Sequence, residues 1–181
     1  MRTKPIIILL ALALAVGLAA CGDDDDDSGG SGAAGAATQA ATPEPADVSA
    51  LAGKVSEDTD AKPKIPVPSG DPPSKLVTED IVEGKGRAAK PGDTLTMQYV
   101  GVSWSNGQEF DASWDRGQTF PFKLGAGMVI PGWDQGMEGM KEGGRRLLAI
   151  PPDLAYGPQG SPPVIGPNET LVFVVDLVKL K

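Results

Sequence analysis

The residues of this chain that could do chemistry are suited to holding a ligand rather than to breaking bonds. Within "MVIPGWDQGMEGM", Trp133, Met137 and Met140 recur at i, i+4 and i+7, the spacing of one helical face. Asp111 and Arg116 stand close together in "FDASWDR", and Tyr156 lies in "AYG" among prolines and glycines, where a fold has little need of an aromatic. On the residues alone each has a plainer reading: Trp133 as core, Asp111 as a hairpin residue, Arg116 as a solvated charge. The chain has no histidine and a single cysteine, Cys21. Ser-His-Asp and Cys-His catalysis, a CxxC pair, a zinc site and an intramolecular disulfide are therefore closed to it. A net charge of −8 argues against a nucleic-acid partner, which attracts basic grooves.

The elements that must position these residues all lie in the C-terminal part, because all nine aromatic residues fall between Tyr99 and Phe173. Strands are predicted at "KLVTEDIVEG", at "TLTMQYVGVSW" with Leu95, Met97 and Tyr99 on one face, and at "QEFDAS" after an Asn-Gly hairpin signal. "TFPFKLG" and "RRLLAI" supply two more. "TLVFVVDLVKL", apolar on both faces through Val175, belongs in the middle of the sheet. The one good helix candidate runs from about Pro131 to Met140, opened by proline and ended by Gly143-Gly144. Its glycines, Gly132, Gly136 and Gly139, weaken a helix and so predict close approach to the sheet. The fold class is thus α+β, an antiparallel sheet with one short helix over one face.

The first 20 residues read as a secretory signal: a basic "MRTK" and an apolar run of 16 residues, short for a membrane span. It ends in "LAAC", which resembles the lipobox of bacterial lipoprotein signal peptides, with the only cysteine where lipidation requires it. Residues 21–70 then read as a lipidated Cys21 followed by a disordered acidic and proline-rich tether. From Gly22 to Gly70 there are 10 acidic and 3 basic side chains and no aromatic, too little apolar surface to offset the entropy of folding. The run Asp23 to Asp27 lacks the spaced ligands and turn glycine of a calcium loop and reads as a solvated spacer. Residues 71–181 are the folded domain. The expected location is extracytoplasmic, lipid-anchored to a bacterial membrane.

Six segments in order, "YVG", "GQEFDAS", "DRG", "VIPGWDQGMEGMKEGGRR", "IPPDLAYG" and "ETLVFVVDLVKL", resemble the FKBP family of peptidyl-prolyl cis-trans isomerases. The resemblance implies an antiparallel half-barrel sheet wrapped around the short helix, with a proline-ring pocket between them. It implies Trp133 as the pocket floor and Tyr99, Phe110, Phe120 and Phe173 as its aromatic walls. Val129 and Ile130 match the pair before the helix, the Ile130 N–H bonding a ligand carbonyl. Asp111 matches the pocket aspartate, Arg116 its partner, Tyr156 a hydroxyl donor to ligand, and Ile165 a substrate contact in the flap "GPQGSPPVIGPNET". Gln98 and Ser161 stand where many members have histidine, and Pro162-Pro163 should stiffen the flap. Trp114 either extends the substrate surface or packs on the following loop.

The resemblance also implies an isomerase acting on proline-containing polypeptides and open to macrolides such as rapamycin. Rotation breaks no bond and so needs no metal or cofactor, and with no oligomerisation signal in the sequence a monomer is the default expectation. An active enzyme assisting the folding of exported proteins is the first expectation. A tethered proline-binding chaperone module with little catalysis is the alternative.

Overall fold

The computed structural model describes residues 46–181. The signal peptide at 1–20, the lipidation of Cys21 and the tether as far as residue 45 lie outside the described residues. Among the described residues no helix is long and apolar enough to cross a membrane. Six strands form one antiparallel sheet: β1 Val77–Val82, β2 Thr94–Ser103, β3 Glu109–Ala112, β4 Phe120–Lys123, β5 Arg145–Ile150 and β6 Leu171–Leu180. Their order is β1-β5-β6-β2-β3, and β4 pairs with the first half of β2, below β3 on the same edge. The apolar β6 is central, as its composition requires, with Leu171 to Leu177 buried on both faces.

The front face packs Leu95, Met97, Tyr99, Leu148, Phe173 and Val175 against α2. That helix is Pro131–Gly136, shorter than the predicted span to Met140. Met137 caps it, and Gly139 turns the chain out at φ +80°. Bonds from Gly139 N to Ala89 O and from Ala89 N to Met140 O then hold the exit. Gly143 and Gly144 do not end the helix; they shape the entry to β5. The predicted close approach is real at two glycines: a Cβ on Gly132 would lie 2.3 Å from Ile150 Cγ2, and one on Gly136 2.6 Å from Leu148 Cδ2. Gly139 has open space around it and serves the turn.

The rear face corrects the boundary drawn at residue 70. Residues 46–70, expected as tether, lie on the sheet as a strap. Asp47 caps a short helix α1, Val48–Ala52, by accepting from Ala50 N at 2.8 Å. Val48, Leu51, Ala52, Val55 and Ile65 bury against Val100, Val102, Leu147, Val172 and Val174. The segment lacks apolar surface for a core of its own, yet it needs only enough to complete a core half-supplied by the sheet. Under it Arg145 is fully buried and makes four hydrogen bonds: Nε and Nη2 bond Asp176 at 2.5 and 2.9 Å, and Nη1 and Nη2 bond the carbonyls of Ser56 and Ala61 at 2.7 and 3.0 Å. Burial pushes the Asp176 carboxyl above its ordinary value, and Arg145 pulls it back.

Candidate active site

Between the front face and α2 lies a cleft of about 190 Å³. Trp133, 4% exposed, forms its floor, meeting Tyr99 and Phe173 edge to face at 5.1 and 5.3 Å and Phe120 at 6.0 Å. Phe110 stands edge-on to Phe173 at 5.4 Å and closes the far wall. Gly101 makes this wall possible: a Cβ there would lie 2.6 Å from Phe110 Cζ and 2.7 Å from Phe173 Cε1. Phe122 packs under the floor, 5.8 Å from Trp133. A larger surface cleft of about 410 Å³ opens beside Lys85, Arg87, Glu142 and Val178, but no aromatic residue lines it.

The polar edge of the aromatic cleft is a closed triangle. Arg116 Nη1 donates to Asp111 Oδ1, the Tyr99 hydroxyl donates to Asp111 Oδ2 at 2.5 Å, and Arg116 Nη2 donates to the Tyr99 hydroxyl at 2.6 Å. Both carboxylate oxygens are thereby engaged. The Tyr99 hydroxyl is pushed up to about 12, chiefly by burial and then by its bond to Asp111, so it remains a donor at neutral pH. Ser113 secures the triangle from within the sheet: its Oγ accepts from Tyr99 N at 2.8 Å and donates to Gln98 Oε1. Gln98 thus serves the loop behind Asp111 and stays out of the cleft.

Met128, Val129 and Ile130 form the lip opposite, on the loop between β4 and α2. Asp134, in the first turn of α2, shapes that loop by accepting from Gly125 N at 2.8 Å and Gly127 N at 3.0 Å. The Ile130 N–H bonds no group among the described residues, as a donor reserved for a ligand would. Tyr156, 42% exposed, stands at the mouth between two 3₁₀ turns.

The structure therefore brings Tyr99, Phe110, Asp111, Phe120, Val129, Ile130, Trp133, Tyr156 and Phe173 to one cleft. Arg116 reaches it through Asp111 and Tyr99. Ile165 does not line it; it is buried in the front core at the foot of the flap, where Ser161 N bonds its carbonyl at 2.9 Å, while Val164 projects to solvent. Trp114 does not extend the cleft and packs against the rear cluster. Sequence reasoning missed Met128, Asp134 and the steric role of Gly101. All three lie inside quoted segments, Gly101 in "YVG" and Met128 and Asp134 in "MVIPGWDQGMEGM", but their contacts are not local.

Comparison with known proteins places this geometry. A family model described as FKBP-type peptidyl-prolyl cis-trans isomerase matches residues 85–178. The chain is similar to an FK506-binding protein of Streptomyces anulatus, 56% identical over 118 residues that cover 65% of this chain and 95% of the relative. It is also similar to an FK506-binding protein of Neisseria meningitidis, 48% identical over 58% of this chain and 95% of the relative. Among solved structures, FkpA from Escherichia coli is 46% identical with a TM-score of 0.54, covering 59% of this chain and 48% of that one. AtFKBP13 is 38% identical with a TM-score of 0.56, covering 61% and 96%.

Proposed function

Given that the chain belongs to the FKBP-type peptidyl-prolyl cis-trans isomerase family, we propose that it rotates Xaa-Pro bonds of exported polypeptides while held by lipid at Cys21 outside the cytoplasm. The observation that carries the catalytic part is the aromatic cleft over Trp133 with a hydrogen-bonded Asp111–Arg116–Tyr99 edge. The lipid-anchored part rests on "LAAC" and on the apolar leader before it.

Rotation about an Xaa-Pro bond faces a barrier of roughly 20 kcal/mol and breaks no bond. The planar amide is strongly dipolar through resonance, and the twisted transition state has lost that resonance. A water-poor aromatic cleft solvates the planar dipole weakly and so penalises the twisted form less. Trp133 and the walls of Tyr99, Phe110, Phe120 and Phe173 grip the prolyl ring. The Ile130 N–H and the Tyr156 hydroxyl hold flanking carbonyls, so that the ring stays fixed while the preceding residue turns. The Asp111 carboxylate, bonded at both oxygens, sets the electrostatics of one wall. The same cleft would accept macrolides such as rapamycin and FK506, which present a pipecolyl ring in place of proline.

The test is NMR exchange on a short Xaa-Pro peptide with catalytic amounts of the protein. Wild type should accelerate cis-trans exchange, and Trp133→Ala should abolish most of it. Tyr156→Phe, which removes one neutral hydrogen bond, should slow it about 2- to 10-fold. Rates unchanged in both variants would sink this assignment of the site. Metabolic labelling with a fatty acid, lost in Cys21→Ser, tests the anchor separately.

A further inference from the structure

The strap carries one side chain whose contacts bear on the site rather than on the rear core. Lys62 Nζ donates to Glu109 Oε1 at 2.8 Å and to Asp115 Oδ1 and Oδ2 at 2.7 and 2.8 Å. Glu109 opens β3 and Asp115 sits in the 3₁₀ turn Trp114–Arg116, so the two carboxylates bracket Asp111 in the chain and Asp115 adjoins Arg116. We propose that Lys62 is a positioning residue for the isomerase site: by occupying Glu109 and Asp115 it leaves Arg116 to Asp111 and Tyr99. The proposal rests on the isomerase reading above, and Lys62 lies outside the residues that the family model matches.

The energetics favour such a device. The Asp111 and Arg116 side chains are 40% and 49% exposed, and an ion pair that open to water contributes little by itself. Arg116 also has Asp115 as its chain neighbour, a competing carboxylate. A weak pair with a competitor needs only a small bias to decide it. Ser113 fixes the inner side of the loop to β2, through Ser113 N to Tyr99 O at 3.1 Å and Tyr99 N to Ser113 Oγ at 2.8 Å. Nothing on β2 reaches the outer side, where Asp115 is exposed; Lys62 does. In keeping with this, the Asp115 carboxyl is held below its ordinary range, first of all by Lys62.

The experiment uses the full chain and four proteins: wild type, Lys62→Met, Lys62→Arg, and Lys62→Met combined with Glu109→Gln and Asp115→Asn. Lys62→Met keeps the apolar stem and should lower kcat/KM for an Xaa-Pro peptide about threefold, the scale of an exposed ion pair. Lys62→Arg should restore it. The triple variant should restore it as well, because the competing carboxylates are gone although no strap contact has been remade. A staple that merely holds the strap would not be rescued this way. Solvent exchange of the Arg116 guanidinium protons, read by NMR, should accelerate in Lys62→Met and slow again in the triple variant. Full activity in Lys62→Met, or a triple variant as slow as Lys62→Met, would overturn the proposal. An inactive wild type whose Arg116 exchange still responds to Lys62 would remove the isomerase reading and leave the positioning role standing.

Discussion

The two faces of the sheet are built from the same strands and are solved in opposite ways. In front, α2 covers the sheet incompletely, and large aromatic rings meet edge to face around a space they leave open. Behind, aliphatic side chains joined by Trp104 and Trp114 close against the strap, and Arg145, the one buried cation among the described residues, bonds Asp176 and two strap carbonyls. Rings held edge to face are stiff and cannot collapse into a gap, whereas Val, Leu and Ile pack to fill one. The difference teaches that the cleft is maintained by side-chain shape on one face, while the other face is closed by the strap and adds its own buried core beneath the same strands.

If that division is right, changes behind the sheet should move stability and changes in front should move activity. The largest effect should come from the strap itself. A chain beginning at residue 46 should denature in urea like the full chain, whereas one beginning at residue 71 should lose on the order of 3–5 kcal/mol or fail to fold. That deletion strips Arg145 of two carbonyl partners and bares the rear of β2, β5 and β6. Leu51→Ala, a milder probe of the same face, should cost roughly 2–4 kcal/mol by denaturant titration, with kcat/KM unchanged well below the melting temperature. Loss of activity in a still-folded Leu51→Ala would break the division.

Gly132→Ala tests the boundary between the faces' roles. The added Cβ would collide with Ile150 Cγ2, so it should destabilise by roughly 1–3 kcal/mol and, by displacing Trp133, also slow exchange of the peptide. On the front face, Asp111→Val removes the charged centre of the triangle. It should reduce kcat/KM about 10- to 100-fold, the scale of a charge-assisted hydrogen bond, with little loss in the urea midpoint.

The smallest effect concerns Tyr99. Its hydroxyl titrates near 10 in the unfolded chain and is raised to about 12 in the fold, so the folded state holds the proton more tightly. The stability this contributes is present in full below pH 10 and is lost as pH rises from 10 to 12. Tyr99→Phe should flatten that part of the stability-versus-pH curve relative to wild type, measured by urea titration at pH 9 and pH 11.

Much of the front face could be read in advance. Period-2 alternation around Tyr99, the two-faced apolar run through Val175 and the Pro-Gly break before Trp133 are local signals, and each strand and the helix start follow from them. The helix end could not be placed so well. Met140 keeps the helical spacing and is still core, but it arrives there from a left-handed turn at Gly139. Asp134 was invisible because its partners, Gly125 and Gly127, are backbone amides, which look alike at every position. The strap was misread for a different reason. Composition measures what a segment can bury by itself, and Val48, Leu51, Val55 and Ile65 bury nothing until a sheet lies under them. One clue was available: a central strand apolar on both faces demands a second cover, and a single helix supplies only one.

The sequence by itself determined which residues are aromatic, where the strands alternate, and that no histidine is at hand, because these are properties of composition and short spacing. Only the tertiary structure decided what stands against what. It set Tyr99 and Arg116 on the two oxygens of Asp111, gave Arg145 the carbonyls of Ser56 and Ala61, and sent Lys62 to Glu109 and Asp115. Apart from the Asp111–Arg116 pair, those contacts join residues 12 to 89 positions apart, and they exist only once the sheet has brought the segments together.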